Sequence, residues 1–165
     1  MKKLCVWILA AVLLAGCSSQ SYETRAAPCA AEPVATAGTI CIRLPDGVSV
    51  PTLSTQTGDR IYIADDYEVC LQTMEGGDIS TTLKSCTGYD RSNLTVLETE
   101  KDGMKRYDCA WTAAGEGTQT VGRMTVLDDG NFHYVLSVTA PADSAQSMLS
   151  AWTELSESFQ INIAQ

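Results

Sequence analysis

The sequence predicts an α+β domain in which helices pack against an antiparallel β-sheet of about six strands. Three observations predict it. Between residues 94 and 140, four strand-like runs follow one another, separated by Asp102-Gly103, Gly115-Glu116-Gly117 and Asp129-Gly130. Asp-Gly at a strand junction supplies the positive φ angles of a tight hairpin, so the four runs read as an antiparallel meander. Two other stretches carry apolar residues at helical spacing with capping residues at their ends. Shorter alternating runs precede the meander and add further strands.

In chain order, "TICIRLP" (residues 39–45) alternates Ile40, Ile42 and Leu44 against Cys41 and Arg43, the period of a strand with one buried face, and Pro45-Asp46-Gly47 ends it. "RIYIADDYEVCLQTM" (60–74) gives one or two strands around Asp65-Asp66. Asp78 caps a short helix in which Ile79, Leu83 and Cys86 share a face, and Gly88 stands where a helix takes its left-handed stop. In the meander, Phe132, Tyr134, Leu136 and Val138 alternate onto one side of their strand, and Tyr107, Cys109 and Trp111 do so on an earlier one. The last helix is read from Ala145, Met148, Leu149, Trp152, Leu155 and Phe159, with Asp143 and Gln146 as a capping box. Its polar face holds Ser, Thr and Glu without lysine or arginine, so the stripe is read as packing on the sheet rather than on a membrane.

Residues 1–38 read differently. Lys2 and Lys3 precede an eleven-residue apolar run (4–14), and Ala15-Gly16 precede Cys17. That is the layout of a secretory signal whose apolar run is too short to span a bilayer. The ending "LAGC" resembles the lipobox of bacterial lipoproteins, which implies lipidation of Cys17 and loss of residues 1–16 as a signal peptide. The expected anchor is this lipid, on the extracytoplasmic side of the cell membrane, two acyl chains being enough for stable attachment. Residues 17–38 are rich in Ala, Ser, Pro and Glu and read as a flexible tether; residues 39–165 form one domain.

Charge and cysteines bound the function. The chain has 11 Lys+Arg against 20 Asp+Glu, net −9, and loss of Lys2 and Lys3 with the signal takes it to −11. An acidic chain without a basic run is a poor ligand for nucleic acid. Cys29, Cys41, Cys70, Cys86 and Cys109 remain after the signal and the lipidated position are set aside. Five thiols allow fifteen arrangements of two bridges and one free thiol, and spacing does not choose among them. The pairing expected first is Cys70 with Cys86, across the turn into the first helix, then Cys29 with Cys41, leaving Cys109 buried and free.

No metal or cofactor is expected, since no C-x-x-C occurs and the single histidine is His133. Alternation places His133 opposite Phe132 and Tyr134, hence on the surface and away from a core Cys109, so a Cys/His couple is not expected. Asp65-Asp66 and Asp128-Asp129 are adjacent residues whose side chains diverge, and Asp128-Asp129-Gly130-Asn131 is read as a hairpin turn rather than a calcium loop.

The order of elements, the "LPDG" turn and the closing stretch "HYVLSVTAPADSAQSMLSAWTELSESFQI" resemble the PsbP-like family, which includes the DcrB-like bacterial lipoproteins. Val48 stands where the family often has an aromatic residue, and the first helix is short. The resemblance implies an antiparallel sheet with packed helices and an accessory or binding role, and transfers no catalytic residue. The expected function is a non-catalytic, membrane-anchored module for a cell-envelope protein partner, met through an acidic face. The alternative is a carrier or sensor of a small apolar ligand, held between sheet and helix by Trp111, Trp152, Phe132 and Tyr134.

Overall fold

The computed structural model describes residues 35–46, 48, 51–55, 58–114 and 118–163. A seven-stranded antiparallel sheet runs in the order β2-β3-β4-β8-β7-β6-β5, and β1 and β9 form a separate antiparallel pair. The strands are β1 (Thr39–Cys41), β2 (Leu53–Ser54), β3 (Arg60–Ile63), β4 (Glu68–Glu75), β5 (Thr95–Lys101), β6 (Met104–Ala114), β7 (Gln119–Asp128), β8 (Phe132–Pro141) and β9 (Gln160–Asn162). Helix α1 (Ile79–Thr87) follows β4, and α2 (Ala145–Ser158) follows β8 through a 3-10 turn at Ala142–Ser144.

The meander β5-β6-β7-β8 forms, and two of its three turns are described, Gly115-Glu116-Gly117 lying outside the described residues. Asp102 and Gly103 both take positive φ, 53° and 78°, as a two-residue hairpin between right-twisted strands requires. At the β7–β8 turn Gly130 has φ 91°, and the Asp129 carboxylate accepts from the backbone N–H groups of Asn131 and Phe132 at 2.8 and 2.7 Å. The turn is thus held by its own aspartate, an Asx arrangement.

Both faces of the sheet's middle are buried. Even-numbered residues of β8, Tyr134, Leu136, Val138 and Ala140, pack with Val69, Leu71, Leu127 and the α2 residues Met148, Ala151, Trp152 and Leu155. Odd-numbered Val135 packs on the other side with Tyr107, Cys109, Met124, Val126 and the α1 residues Ile79 and Leu83. Strand β8 therefore reads as a near-continuous apolar run instead of a clean alternation, as expected of a strand covered on both sides. Tyr107 and Cys109 lie under α1 rather than under the C-terminal helix.

Helix α1 begins and ends as its sequence predicts. The Asp78 side chain accepts from Ser80 N–H at 2.9 Å, and Gly88 closes the helix at φ 79° with its N–H on the Lys84 carbonyl. The capping box expected at Asp143 and Gln146 is not made: Ser144 is the N-cap of α2 and its side chain makes no capping bond. The 3-10 turn, which already satisfies Ala145 N–H at the Ala142 carbonyl, takes its place.

Pairing of β1 with β9 joins the two ends of the domain, Ile40 standing opposite Ile161. The segment before β1 is tied in by a part-buried relay: Gly38 N–H donates to the Tyr134 hydroxyl at 2.9 Å, and that hydroxyl donates to the Asp129 carboxylate at 2.8 Å. The proposed signal, the lipidation site Cys17 and the proposed tether as far as residue 34, with Cys29, lie outside the described residues; the last four tether residues, 35–38, are described, and Gly38 is the one bonded to Tyr134.

Candidate functional site

The β3–β4 turn is short because Ala64 N–H reaches back to the Tyr67 carbonyl at 2.9 Å. Closing it this way projects Asp65, Asp66 and Glu68 into solvent and leaves Tyr67 half-buried between them. The turn borders the place where β8 runs out into α2. A groove of about 280 Å³ forms there, with Ile63, Tyr67 and Pro141 as its apolar part and Asp65, Asp66 and Glu68 as its rim. Ile63 is 61% exposed, one of four large apolar side chains in that state among the described residues.

Electrostatics across the groove are one-sided. Burial pushes the Tyr67 hydroxyl up from its ordinary range, and the carboxylates of Glu154, on α2, and Asp66 push it the same way. Glu154 thus belongs to the same negative field as the turn. Among the described residues the ion pairs are Lys84–Asp90, Arg91–Glu98, Arg106–Asp108 and the contact of His133 with Asp128. None involves Asp65, Asp66, Glu68 or Glu154, so the negative charge at this edge stays available to a partner.

The cysteines expected to pair are placed as follows. Cys70 lies on β4, opposite Ser137 of β8, and that row continues through Met124 to Cys109. Cys86 lies above this row on α1, its Sγ 3.8 Å from Gln72 Oε1. Burial pushes the Cys70 thiol up to about 11, with nearby Cys86 adding to it, and burial pushes Cys109 up to about 11 with Asp108 and Cys86 adding to it. Cys86, raised by burial as well, therefore stands within electrostatic reach of both. Cys41, Cys70, Cys86 and Cys109 are free thiols here. Thiols held this high are protonated at neutral pH and make poor nucleophiles.

His133 is not a surface residue. It is 1% exposed, and its Nδ1 lies 2.7 Å from the Thr82 hydroxyl of α1. The reason is β8 itself: both faces are covered, so the side opposite Tyr134 is also interior. His133 Nε2 has no hydrogen-bond partner and stands 3.7 Å from Asp128 Oδ2. His133 and Cys109 share the α1 face after all, yet the histidine is committed to Thr82. Asp128 and Asp129 are both turn residues, with Asp128 Oδ1 accepting from Gly130 N–H at 2.7 Å. Among the described residues no group of three or more His, Cys, Asp or Glu is arranged to hold a metal ion.

The aromatics considered for an interior ligand pocket do not meet. Trp111 lies in the cluster under α1, covering Gly122, where a Cβ would come within 2.3 Å of the indole. Trp152, Phe132 and Tyr134 belong to the cluster under α2, on the other side of the sheet. Sequence alternation within each strand was correct for Trp111 and Tyr134; it carries no information on which sheet face two strands have in common. The acidic groove, by contrast, brings together the Asp65-Asp66 turn and Glu154, which are distant in sequence and gave no joint signal.

Among the described residues no helix is long and apolar enough to cross a membrane. No protein-family model matches the sequence, and no curated protein sequence matches it. Solved structures match at the level of fold. LpqN, a protein involved in cell envelope biogenesis of Mycobacterium tuberculosis, superposes with TM-score 0.53 at 14% identity, over 76% of this chain and 86% of LpqN. Cyanobacterial PsbP from Synechocystis gives TM-score 0.50 at 14% identity, over 78% of this chain and 95% of that one. A protein of Bacteroides thetaiotaomicron gives 0.50 at 10% identity, and this chain spans about half its length. With its seven-stranded sheet and two helices, the chain has the PsbP-like fold.

Proposed function

We propose that this chain is a non-catalytic accessory module of the cell envelope, anchored on the extracytoplasmic side through lipid on Cys17, which docks a basic protein partner in the groove at the β3–β4 turn. The observation that carries it is the pairing of an exposed apolar residue, Ile63, with four carboxylates that no cation of the described residues neutralises. An apolar centre with a charged rim is the anatomy of a transient protein interface, the rim setting rate and partner choice and the centre supplying affinity. Support comes also from the fold shared with LpqN, which takes part in cell envelope biogenesis. The buried thiols with raised pKa and the histidine committed to Thr82 offer no nucleophile or base for catalysis. A lipid anchor would confine the domain near the membrane and raise its effective concentration toward a membrane-bound partner.

Cross-linking in intact cells tests this. A photoreactive residue at position 63 is expected to capture one defined envelope protein from cells carrying native Cys17. The yield is expected to fall in Cys17→Ser and, separately, in the double variant Asp65→Asn, Asp66→Asn. Capture that ignores both changes would sink the proposal.

A further inference from the structure

Helix α2 lies over β8 and β7, and the same face of the sheet continues past it onto β6 and β5, over which no further helix lies among the described residues. Register fixes what that open half presents. Leu97, Asp108 and Thr125 stand in one row with the core residue Leu136, and Thr95, Ala110 and Arg123 in the next row with Val138. Together with Trp152 of α2 they line a groove of about 380 Å³. That size lies within the range of small-molecule sites.

Its charges are not balanced. Asp108 is fully engaged: Arg106 donates to it through Nε at 2.7 Å and through its terminal nitrogen at 2.9 Å, and Thr125 Oγ1 donates to it as well. Lys101, at the end of β5, is committed to the Phe159 carbonyl. Arg123 is half-buried on the groove floor, and its guanidinium makes no hydrogen bond or ion pair among the described residues. On a chain of net charge −9, the groove keeps one arginine with a carboxylate partner and one without. Beside the unpartnered guanidinium are Ala110, the indole of Trp152 and Leu97, which is 62% exposed.

We infer that this groove binds an amphipathic monocarboxylate: the carboxylate takes the fork of Arg123, and an aliphatic chain lies over Ala110 and Leu97 against Trp152. A guanidinium presents parallel N–H donors that match a carboxylate in two-pronged geometry. The apolar flank gives the alkyl chain surface to cover. The groove lies apart from the acidic edge at the β3–β4 turn, with no lining residue in common, so either reading stands or falls without the other.

The test uses the full chain in phosphatidylcholine nanodiscs, a diazirine-bearing dodecanoic acid as probe, and peptide mapping of the labelled sites. Label is expected on peptides containing Leu97, Ala110 or Trp152. Decanoate is expected to displace it and decanol to do so at least about tenfold less well, since the charge-assisted hydrogen bonds are missing. Arg123→Gln is expected to reduce labelling about tenfold on the same grounds, while Arg123→Lys, which keeps the charge but loses the fork, is expected to retain only part of it. Leu97→Glu, at an exposed position that leaves the core untouched, is expected to abolish it and decides the matter if Arg123→Gln unfolds. Asp65→Asn is expected to change nothing. Equal competition by decanol, label that follows the bilayer rather than these peptides, or indifference to both Leu97→Glu and Arg123→Gln would overturn the inference.

Discussion

The two faces of the sheet share strands β4, β8, β7 and β6, yet they hold their helices by different means. Under α2, a 14-residue helix, the contact is apolar: Leu155 and Phe159 meet Tyr134, Leu136 and Leu71, all 0% exposed. Under α1, a 9-residue helix, only Ile79, Thr82 and Leu83 are buried, and one of the three is a hydroxyl bonded to an interior histidine. A long helix removes enough apolar surface to hold its middle without directional bonds; those α2 makes to other elements are at its C-terminal end, where Arg43 N–H donates to Ser158 Oγ and Lys101 donates to the Phe159 carbonyl. A short one removes less, and a buried polar contact with a single geometry fixes its position on the sheet.

The largest expected effect separates the two by their leucines. Leu155→Ala is expected to cost in the upper half of the roughly 2–5 kcal/mol range for such truncations, because a packed sheet on one side and Phe159 on the other leave little room for collapse. Leu83→Ala, equally buried, is expected in the lower half of that range of about 2–5 kcal/mol, because α1 is short enough to settle toward the sheet. Urea denaturation of the two variants measures both. If Leu83→Ala proves the more costly, the contrast between the faces is wrong.

Next in size is the polar contact itself. Thr82→Val keeps the shape of the side chain and removes the hydroxyl, which leaves His133 Nδ1 buried without a partner at a cost of about 1–3 kcal/mol. Thr82→Ser restores an oxygen and should recover most of that loss. A valine variant as stable as the serine variant would show that the helix is held by its apolar residues alone.

The histidine also marks where sequence reading stops. Caps, turns and the meander were legible because each depends on residues within a few positions: Asp78 and Gly88 at α1, Asp102-Gly103 and Gly130 at the hairpins. The interior position of His133 depends on α1 crossing the far face of β8, and nothing in "NFHYV" reports that. Strands β2 and β9, of two and three residues, were too short to carry a period. Both grooves are products of topology in the same way. Glu154 comes within electrostatic reach of Tyr67 because β4 and α2 both pack on β8, and Arg123 stands beside Leu97 because β7 and β5 flank β6.

The smallest effect concerns the part-buried relay from Gly38 through Tyr134 to Asp129 on the α2 side, which runs at the rim rather than the centre. Burial pushes the Asp129 carboxyl up, but the N–H groups of Phe132 and Asn131, the Tyr134 hydroxyl and the nearby His133 outweigh it, and the carboxyl is held below its ordinary range. The unfolded chain binds this proton more readily than the folded one. The stabilisation is therefore complete above the unfolded value of about 3.9 and is lost as pH falls through the lower folded value. Asp129→Asn removes the titration, so native protein is expected to lose more stability than the variant on acidification from about pH 5 to 2, the rim exposure of the group keeping the effect small. At neutral pH the variant should be the less stable of the two, and the difference should shrink as acid protonates the native carboxylate. Parallel stability curves for the native chain and Asp129→Asn would show that the relay contributes nothing measurable to how the α2 face is held.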